Sequence, residues 1–300
     1  RGWVRHLRES GVRFHMHHRC IGWNEKNELC FETPDGLKTL SPQASIFAMG
    51  GGSWAKLGSD GQWVPWLREA GIEISDLKAS NCGFEHEWSP HFQSRFAGAP
   101  IKPVIVSGFD RDNPGKSLQG EFVITATGIE GSVIYAISAD LRNSIEKNGV
   151  AELLCDLCPG RSIERLRKDL STPRGKRSMT DHLRRHTGLE GVKIGLLYEA
   201  LGQEDWQDNE KIIHAIKHFA ITLTSTRPID EAISTAGGVT LGTLDKNLMS
   251  LKKPGIFFAG EMLDWEAPTG GYLLTASMAS GRIAGQAACR WLKSGYSKDA

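Results

Sequence analysis

Runs of apolar residues alternate with polar and glycine-rich turns along the chain. One buried-strand run covers residues 45–49, and a second covers residues 256–259. The second run ends on Gly260 and leads through a paired-glycine turn into a segment whose small residues recur at helical spacing. A helix with such a slim surface can pack close to a sheet. This order of strand, glycine turn and helix predicts an α/β unit.

The N-terminal part predicts a helix followed by a small antiparallel sheet. Residues 2–10 carry a helical pattern, and Gly11 is a typical residue at a helix C-terminus. Extended chain follows, and a meander over residues 28–31 and 37–40 turns at Pro34-Asp35-Gly36.

The pattern changes between Asn81 and about Thr226. Short runs separated by proline and glycine turns favour a small β-barrel or sheet, with strands at residues 84–87, 103–107 and 121–125. Helical patterns follow at residues 162–169, 179–185, 192–201 and 210–218. Residues 219–226 would then return as a strand with Ile221 and Leu223 on one face.

Two carboxylates and two glycines follow the second apolar run. Glu261 and Asp264 would lie at the C-terminal edge of that strand. Backbone N–H groups at Gly270, Gly271 and Tyr272 would point off the next helix N-terminus, where the macrodipole stabilises a partly anionic ligand. A reduced flavin carries such charge at its pyrimidine end, and Asp264 can accept a hydrogen bond from a ribityl or ribose hydroxyl. The residues therefore predict a flavin-binding edge.

A second glycine turn follows the first apolar run. Gly50, Gly52 and Ala55 formally satisfy the Gly-x-Gly-x-x-Ala pattern that holds a pyrophosphate in dinucleotide-binding folds. Residues 58–61 interrupt the helix which that fingerprint requires, and the next helical pattern covers residues 62–70. The sequence favours a strand-end turn whose backbone passes close to a cofactor. The pyrophosphate fingerprint and a purely structural turn stay open as alternatives.

These blocks resemble the C-terminal flavin signature of the two-dinucleotide-binding-fold flavoproteins. More narrowly, they resemble the BaiN-like bacterial FAD-dependent oxidoreductases, often labelled aminoacetone-oxidase-type. Further blocks at residues 120–131 and 226–239 occur in the same order, so the likeness extends over nearly the whole chain. It departs at Leu273, where many relatives carry Asn. No strand followed by Gly-x-Gly-x-x-Gly precedes Gly11, so we expect a chain truncated at its N-terminus that lacks the first βαβ unit.

The resemblance implies an α/β fold in which a Rossmann-like FAD domain is interrupted by an insertion. The expected FAD domain comprises residues 1–80 and 227–300, and the expected β-barrel and helical insertion comprises residues 81–226. The resemblance also implies FAD as cofactor, hydride transfer through flavin N5, and NAD(P)H or a small organic molecule as electron donor. The expected cofactor-binding residues are Gly50, Gly51, Gly52, Ser53, Gly237, Gly238, Gly260, Glu261, Asp264, Thr269, Gly270, Gly271, Tyr272 and Leu273.

Arg227 and Thr235 lie where the chain would re-enter the FAD domain. A cation near the flavin pyrimidine, or a hydrogen-bond donor near N5, would tune hydride affinity. Both are therefore candidate catalytic residues. A buried salt bridge is an equal alternative for Arg227.

The composition is ordinary for a soluble globular protein. The 300 residues are 40% hydrophobic and 24% charged, and 34 glycines suit a nucleotide-binding fold. A net charge of +1 gives no global case for a nucleic-acid or membrane partner, so a small-molecule substrate is expected and the oligomeric state is left open. Six scattered cysteines favour a reducing cytoplasm. No metal site is expected, because strand alternation would send His17 and His18 to opposite faces.

Two local features remain open. Residues 161–186 contain nine Lys or Arg against three Asp or Glu, a net of +6. Such runs are typical of solvated helix faces, and the alternative is an anionic partner, either nicotinamide-cofactor phosphates or an RNA backbone. No aromatic residue is interleaved, which weakens the single-stranded RNA interpretation. Cys155 and Cys158 are either two buried thiols or a redox dithiol beside a flavin.

Overall fold

The computed structural model of the protein describes residues 2–108 and 116–295. Its strands are β1 (Arg19–Trp23), β2 (Leu29–Thr33), β3 (Gly36–Leu40), β4 (Ser45–Phe47), β5 (Ile74–Ser80), β6 (Phe84–Glu85), β7 (Pro100–Ser107), β8 (Ser117–Ile124), β9 (Gly128–Glu130), β10 (Ala151–Asp156), β11 (Phe219–Leu223), β12 (Ser225–Thr226), β13 (Ser234–Val239) and β14 (Ile256–Phe258). Its helices are α1 (Gly2–Glu9), α2 (Val64–Glu69), α3 (Pro90–Phe96), α4 (Ser132–Ala136), α5 (Ser138–Asn148), α6 (Ile163–Leu170), α7 (Met179–Thr187), α8 (Val192–Ala200), α9 (Asn209–Lys217) and α10 (Tyr272–Lys293). The mixed α/β class is confirmed.

Helix α1 and the antiparallel sheet β1-β2-β3 form where the sequence predicts them. The helix ends at Glu9, and Gly11 just beyond it has a φ of +89°, the left-handed conformation that glycine allows after a helix C-terminus. The hairpin between β2 and β3 turns at Gly36, which has a φ of +104°. Thr33 Oγ1 donates to the Gly36 carbonyl at 2.7 Å and fixes that turn.

A closed antiparallel barrel occupies the middle of the chain. The strand order is β11-β10-β7-β8-β9-β6-β12, and each neighbouring pair is antiparallel. The two outer strands are consecutive pieces of residues 219–226, so the hydrogen-bonded sheet closes on itself. In β11 the side chains of Phe219, Ile221 and Leu223 are buried in alternation with exposed neighbours. The predicted small barrel is confirmed.

Helices α6 to α9 pack on the barrel and share its hydrophobic core. Ser162 and Ser178 cap α6 and α7, because their side-chain oxygens accept from the backbone N–H three residues further on. Asp208 caps α9 in the same way. The four helical patterns read from the sequence are confirmed, with each boundary displaced by at most two residues.

Strands β4 and β14 form a parallel pair, with Ser45 opposite Ile256 and Phe47 opposite Phe258. Helix α10 covers this pair. Its buried residues are small, and they share a core cluster with β14 that comprises Phe257, Ala259, Ala284, Ala287 and Ala288. Small side chains let the helix approach the strands closely, as the sequence predicts. Strands β5 and β13 form a separate antiparallel pair beside this layer.

The sequence pattern does not predict β5, β9, α3, α4 or α5. Helix α5 is polar along most of its length and buries only Ser138, Leu141 and Arg142, so its apolar stripe is too thin to give a helical period. Strand β9 is three residues long. The secondary structure of these segments is determined by packing against neighbouring elements, and not by the local preferences of their residues.

A buried ion pair joins α5 to the turn before α10. Arg142 is 5% exposed, and its Nη1 and Nη2 donate to the two oxygens of Glu266 at 3.0 and 2.7 Å. Nη1 also donates to the Ala79 carbonyl at 3.1 Å, and Ser80 Oγ donates to Glu266 Oε2 at 2.9 Å. Burial is the largest influence on the pKa of Glu266 and pushes it upward. The hydrogen bonds from Arg142 and Ser80 and the charges of Arg142 and Lys78 together hold that pKa below its ordinary value.

A buried histidine on helix α7 packs against a second histidine that lies one helical turn further along. His182 is 3% exposed, and its ring centroid lies 4.7 Å from that of His186. Burial lowers the pKa of His182, and the neighbouring His186 lowers it further. The folded protein therefore favours neutral His182.

Replacing Arg142 with alanine would leave Glu266 without its cationic partner. We expect the free energy of unfolding to decrease by about 3 kcal/mol. This value is at the lower end of the range for breaking a buried ion pair, because Glu266 keeps some contact with solvent. Urea unfolding followed by circular dichroism measures the loss. The control Lys78→Ala removes an exposed ion pair with Glu146 and should cost less than about 1 kcal/mol. Equal losses in the two variants would contradict the role given to Arg142.

Acidification should destabilise the fold through His182. The folded pKa lies below the ordinary histidine value of 6.5, so the unfolded chain binds the proton more readily. The free energy of unfolding should therefore be steady above about pH 7 and fall as the pH decreases through 6.5 toward the folded pKa, by at most about 1.4 kcal/mol per pH unit. Urea midpoints at pH 7.5 and 5.5 measure this dependence.

The variant His182→Gln should reduce that pH dependence. His214→Gln is the matched control, because His214 is exposed on α9 and its replacement should leave the dependence intact. A pH dependence that survives unchanged in the His182 variant rules out this histidine as its source.

Candidate functional site

Three segments that are distant in sequence meet at one edge of the parallel strand pair. Strands β4 and β14 run in the same direction, so their carboxyl ends lie together. Residues 49–53 follow β4, while Gly260 and Glu261 follow β14. Strand β13 brings Thr235 to the same place. This is the kind of edge at which open α/β sheets bind ligands.

The carboxylate of Glu261 holds this edge together. Its Oε2 accepts from the Gly51 N–H at 3.4 Å, and its Oε1 accepts from the Thr235 N–H at 3.1 Å. Thr235 Oγ1 accepts in turn from the Gly52 N–H at 2.9 Å. Both oxygens of Glu261 have protein partners, so this side chain fixes the backbone of the glycine turn. Thr235 is fully buried within the same arrangement.

Close packing requires three of the glycines at this edge. An added Cβ on Gly51 would lie 2.3 Å from the Thr235 hydroxyl oxygen. On Gly237 and Gly238 it would lie 2.1 and 2.4 Å from the backbone oxygens of Asp76 and Met262. No side chain fits at such distances. The glycine pattern thus has a packing cause in addition to any contact with a cofactor.

The glycine turn after β4 does not open a long helix. Residues Ala55–Leu57 form a single 3-10 turn that ends at Gly58, and α2 begins only at Val64. A pyrophosphate fingerprint needs a helix directly after its glycines. Of the interpretations left open by the sequence, the strand-end turn agrees best with this geometry. Gly50 has a φ of +72°, and Ser53 is buried with no partner for its hydroxyl among the described residues.

Asp264 has one oriented and one free carboxylate oxygen. Ser75 Oγ donates to its Oδ2 at 2.6 Å, and its backbone N–H donates to the Val239 carbonyl at 2.9 Å. In the part of the chain that the structure describes, nothing donates to Oδ1. The residue is half-buried. A ligand hydroxyl can therefore donate to Oδ1 without displacing a protein group.

The start of α10 leaves backbone donors free. Gly270 and Gly271 have φ of +119° and +91°, and an added Cβ on Gly271 would meet no atom within 4 Å. The helix is 22 residues long, and no side chain caps its N-terminus. The N–H groups of Gly270, Gly271, Tyr272 and Leu273 find no acceptor in the described residues, and Thr269 is exposed beside them. Free N–H groups at the N-terminus of a long helix favour an electron-rich ligand edge.

The turn after β14 is fastened to α10. The Gly260 N–H donates to Ser280 Oγ at 2.9 Å, and Trp265 Nε1 donates to the Gly260 carbonyl at 3.1 Å. Gly260 has a φ of +81°, which a side chain would strain. These bonds fix the strand end relative to the helix that carries the free N–H groups.

Arg227 lies in an ion-pair cluster at the edge of the barrel. Its guanidinium contacts Glu85, donates to Glu231 Oε2 at 2.6 and 2.8 Å, and donates to Thr127 Oγ1 at 2.9 Å. The bonds to Glu231 raise the pKa of Arg227, aided by Glu85, against the lowering effect of desolvation. The structure thus places Arg227 in the salt bridge that was the alternative to its catalytic role.

The residues of this edge fit the flavin end of FAD. Free N–H groups suit the pyrimidine oxygens, the free oxygen of Asp264 suits a ribityl hydroxyl, and the space beside Gly271 admits a ring edge. Sequence reasoning missed Ser75 and Ser280, which orient this edge. Ser75 lies on β5, a strand that the sequence pattern does not predict. Ser280 lies within α10, where the sequence indicates only that it is a small residue.

The Cys-x-x-Cys pair is not activated. Cys155 is fully buried in β10, and burial raises its pKa. Burial also raises the pKa of Cys158, against the lowering effect of nearby cations. Both thiols therefore favour the protonated form. Within the described ranges, no three His, Cys, Asp or Glu side chains come together as a metal site, and none of the helices there is long and apolar enough to cross a bilayer.

Two curated proteins are similar to the chain in sequence. A 3-dehydro-bile acid delta(4,6)-reductase of Clostridium scindens is 27% identical over 256 residues, a match that covers 81% of this chain and 61% of that protein. A ribosomal RNA dihydrouridine synthase of Haemophilus influenzae is 24% identical over 233 residues, covering 76% of this chain and 55% of that protein. The chain thus spans between half and two thirds of these relatives' lengths.

A solved structure and a family model are also similar to the chain. The structure is a 3-ketosteroid delta1-dehydrogenase from Sterolibacterium denitrificans in complex with 1,4-androstadiene-3,17-dione, with 13% identity, a TM-score of 0.43, and coverage of 96% of this chain and 62% of that one. The family is described as HI0933-like protein Rossmann domain, and its model matches residues 1–287. The resemblance stated from the sequence is confirmed by this match. The chain therefore belongs to the HI0933-like family and has its Rossmann-type fold.

Proposed function

We propose that the protein is an FAD-dependent oxidoreductase. The observation that carries this proposal is the open start of α10, where four backbone N–H groups have no acceptor among the described residues and lie beside an uncrowded glycine. The free oxygen of Asp264 and the strand-end edge support the same assignment. Family membership and the names of the relatives, a reductase and a dihydrouridine synthase, support redox chemistry.

Bound FAD would supply hydride transfer through its N5 atom, with NAD(P)H or a small organic molecule as the donor. The chain's residues would bind and orient it. The N–H groups of residues 270–273 would stabilise negative charge at the pyrimidine edge, which favours the reduced form. Asp264 would accept a hydrogen bond from a ribityl hydroxyl, and Glu261 would keep the glycine turn in place. The free cysteines support the cytoplasm as the location of this chemistry.

The preferred substrate class is a small unsaturated organic molecule. One relative is named for a 3-dehydro-bile acid, and the match to it is the longer of the two. A second candidate is a base within RNA, because another relative is named for ribosomal RNA. The observation that favours this second candidate is the exposed basic segment between α6 and α7, where several cations have no acidic partner within the part of the chain that the structure describes.

Asp264→Ala should weaken flavin binding and leave the fold intact. Loss of a hydrogen bond to a charged group costs about 1.5–3 kcal/mol, which corresponds to roughly 10- to 100-fold in Kd. Titration of the apoprotein with FAD, followed by flavin fluorescence, measures this change. Asp76→Ala is the control, because Asp76 is an exposed carboxylate paired with Arg68 and should not affect Kd. An unchanged Kd in the Asp264 variant would remove this residue from the site.

Glu261→Gln should instead impair folding and flavin binding together. The Gly51 and Thr235 N–H groups face different oxygens of Glu261, and the NH2 group that replaces one of these oxygens in glutamine cannot accept a hydrogen bond. One buried donor therefore loses its partner at a cost of about 1–3 kcal/mol. Urea unfolding of the apoprotein measures that cost. Full stability combined with lost flavin would show that Glu261 contacts the cofactor directly.

The purified protein should be yellow and should bleach without oxygen when NADH or NADPH is added. The reduced protein is then mixed either with an unsaturated 3-oxo steroid or with ribosomal RNA, and flavin absorbance at about 450 nm is followed. Recovery with the steroid supports the small-molecule substrate, and recovery with RNA supports the second candidate. Protein that contains no flavin after denaturation would contradict the proposed function.

A further inference from the structure

The segment that joins α6 to α7 is an exposed basic loop. This basic loop comprises residues 171–178, all of them exposed, and carries Arg174, Lys176 and Arg177. The loop lies close to α7, since Arg174 and Arg177 are near enough to His182 for their charges to lower its pKa. Leu170 and Leu183 anchor the flanking helices in the shared core. The three cations therefore lie on an exposed loop whose two ends are held by packed helices.

Acidic side chains balance only part of the positive charge of the segment of residues 161–186. Four of its nine cations form ion pairs, in which Arg161 and Arg165 contact Asp169, Arg167 contacts Glu210, and Arg184 contacts Asp181. The other five have no ion-pair partner among residues 2–108 and 116–295, and they are Lys168, Arg174, Lys176, Arg177 and Arg185. The remaining acid, Glu164, accepts from Ser162 and its own backbone N–H at the start of α6, which lowers its pKa. The unpaired charge is thus concentrated on and beside the basic loop.

The chemistry of the loop fits a phosphodiester backbone. Its residues are polar apart from Pro173 and Gly175, so no large apolar side chain is available to insert into a lipid surface. Two of its three cations are arginines, whose planar guanidinium groups bind phosphate oxygens in pairs. The absence of aromatic side chains disfavours stacking on single-stranded bases and favours contact with the phosphates of a folded helix.

We propose that the basic loop, flanked by Lys168 and Arg185, docks the phosphate backbone of structured RNA. This proposal rests on the second candidate substrate and gives it a binding surface. Each phosphate contact releases counterions, so binding should weaken steeply with salt. The loop contributes binding and orientation, and the flavin edge at α10 is separate from it in sequence and in fold.

The test compares two triple variants that remove the same charge. In Arg174→Gln/Lys176→Gln/Arg177→Gln the unpaired cations of the loop are neutralised. In the matched control Arg165→Gln/Arg167→Gln/Arg184→Gln, three cations of the same segment are neutralised that already have acidic partners. The probe is a fluorescein-labelled RNA hairpin of about 30 nucleotides, and anisotropy gives Kd at several salt concentrations.

We expect the loop variant to bind the hairpin at least tenfold more weakly than the unmodified protein at low salt. The slope of log K against log salt should decrease in magnitude by about two to three, one unit for each lost phosphate contact. The control variant should change the slope by less than about one. Equal effects of both variants would overturn the proposal, because net charge alone would then explain binding.

Two further measurements separate docking from the redox function. Binding to phosphatidylserine vesicles in preference to the hairpin would overturn the choice of RNA. Flavin reduction by NADH or NADPH should be unchanged in both variants. A loop variant that loses hairpin binding in a protein without flavin would uphold docking and refute the proposed redox activity. A protein with normal flavin reduction and no hairpin binding would refute docking alone.

Discussion

The candidate site depends on one carboxylate that receives hydrogen bonds from two distant strands. Glu261 follows β14, and it accepts from Gly51 after β4 and from Thr235 in β13. These groups are 210 and 26 residues away along the chain. Because each backbone donor is desolvated at the strand ends, the negative charge of Glu261 replaces water as their partner. Without it the glycine turn would have no fixed position relative to the helix that follows β14.

An ion pair connects helix α5 to the same region. Arg142 on α5 holds Glu266, which lies in the turn that leads to the free N–H groups of α10. Asn81 strengthens this junction by donating from Nδ2 to Ser234 Oγ at 2.7 Å and to the Ala267 carbonyl at 2.8 Å. Buried side chains joined by several hydrogen bonds in this way restrict each other's movement. The position of the candidate site is therefore set partly by residues that lie between β5 and β13 in sequence.

The sequence predicted the elements that have a strong local signal. The helices α6 to α9, the meander at β2 and β3, and the strand–glycine–helix order at α10 each have a clear period or a turn residue. Helix α5 could not be predicted, because only three of its residues are buried and one of these is Arg142. The site shows the same limit. The sequence identified the glycines and carboxylates of the site from their residue types and spacing. It did not identify Ser75 and Ser280, because their hydrogen bonds depend on tertiary contacts that local patterns do not contain.

The two carboxylates at the edge have different consequences for a ligand. Each oxygen of Glu261 accepts from a backbone donor, so this side chain is committed to holding the protein backbone. Asp264 keeps one oxygen free and can select a hydroxyl group, whereas the start of α10 offers only donors. Such an edge distinguishes the two ends of a flavin, because the ribityl chain donates hydrogen bonds and the pyrimidine oxygens accept them. The orientation of a bound ring would then follow from the hydrogen-bond chemistry of these residues, with shape as a secondary constraint.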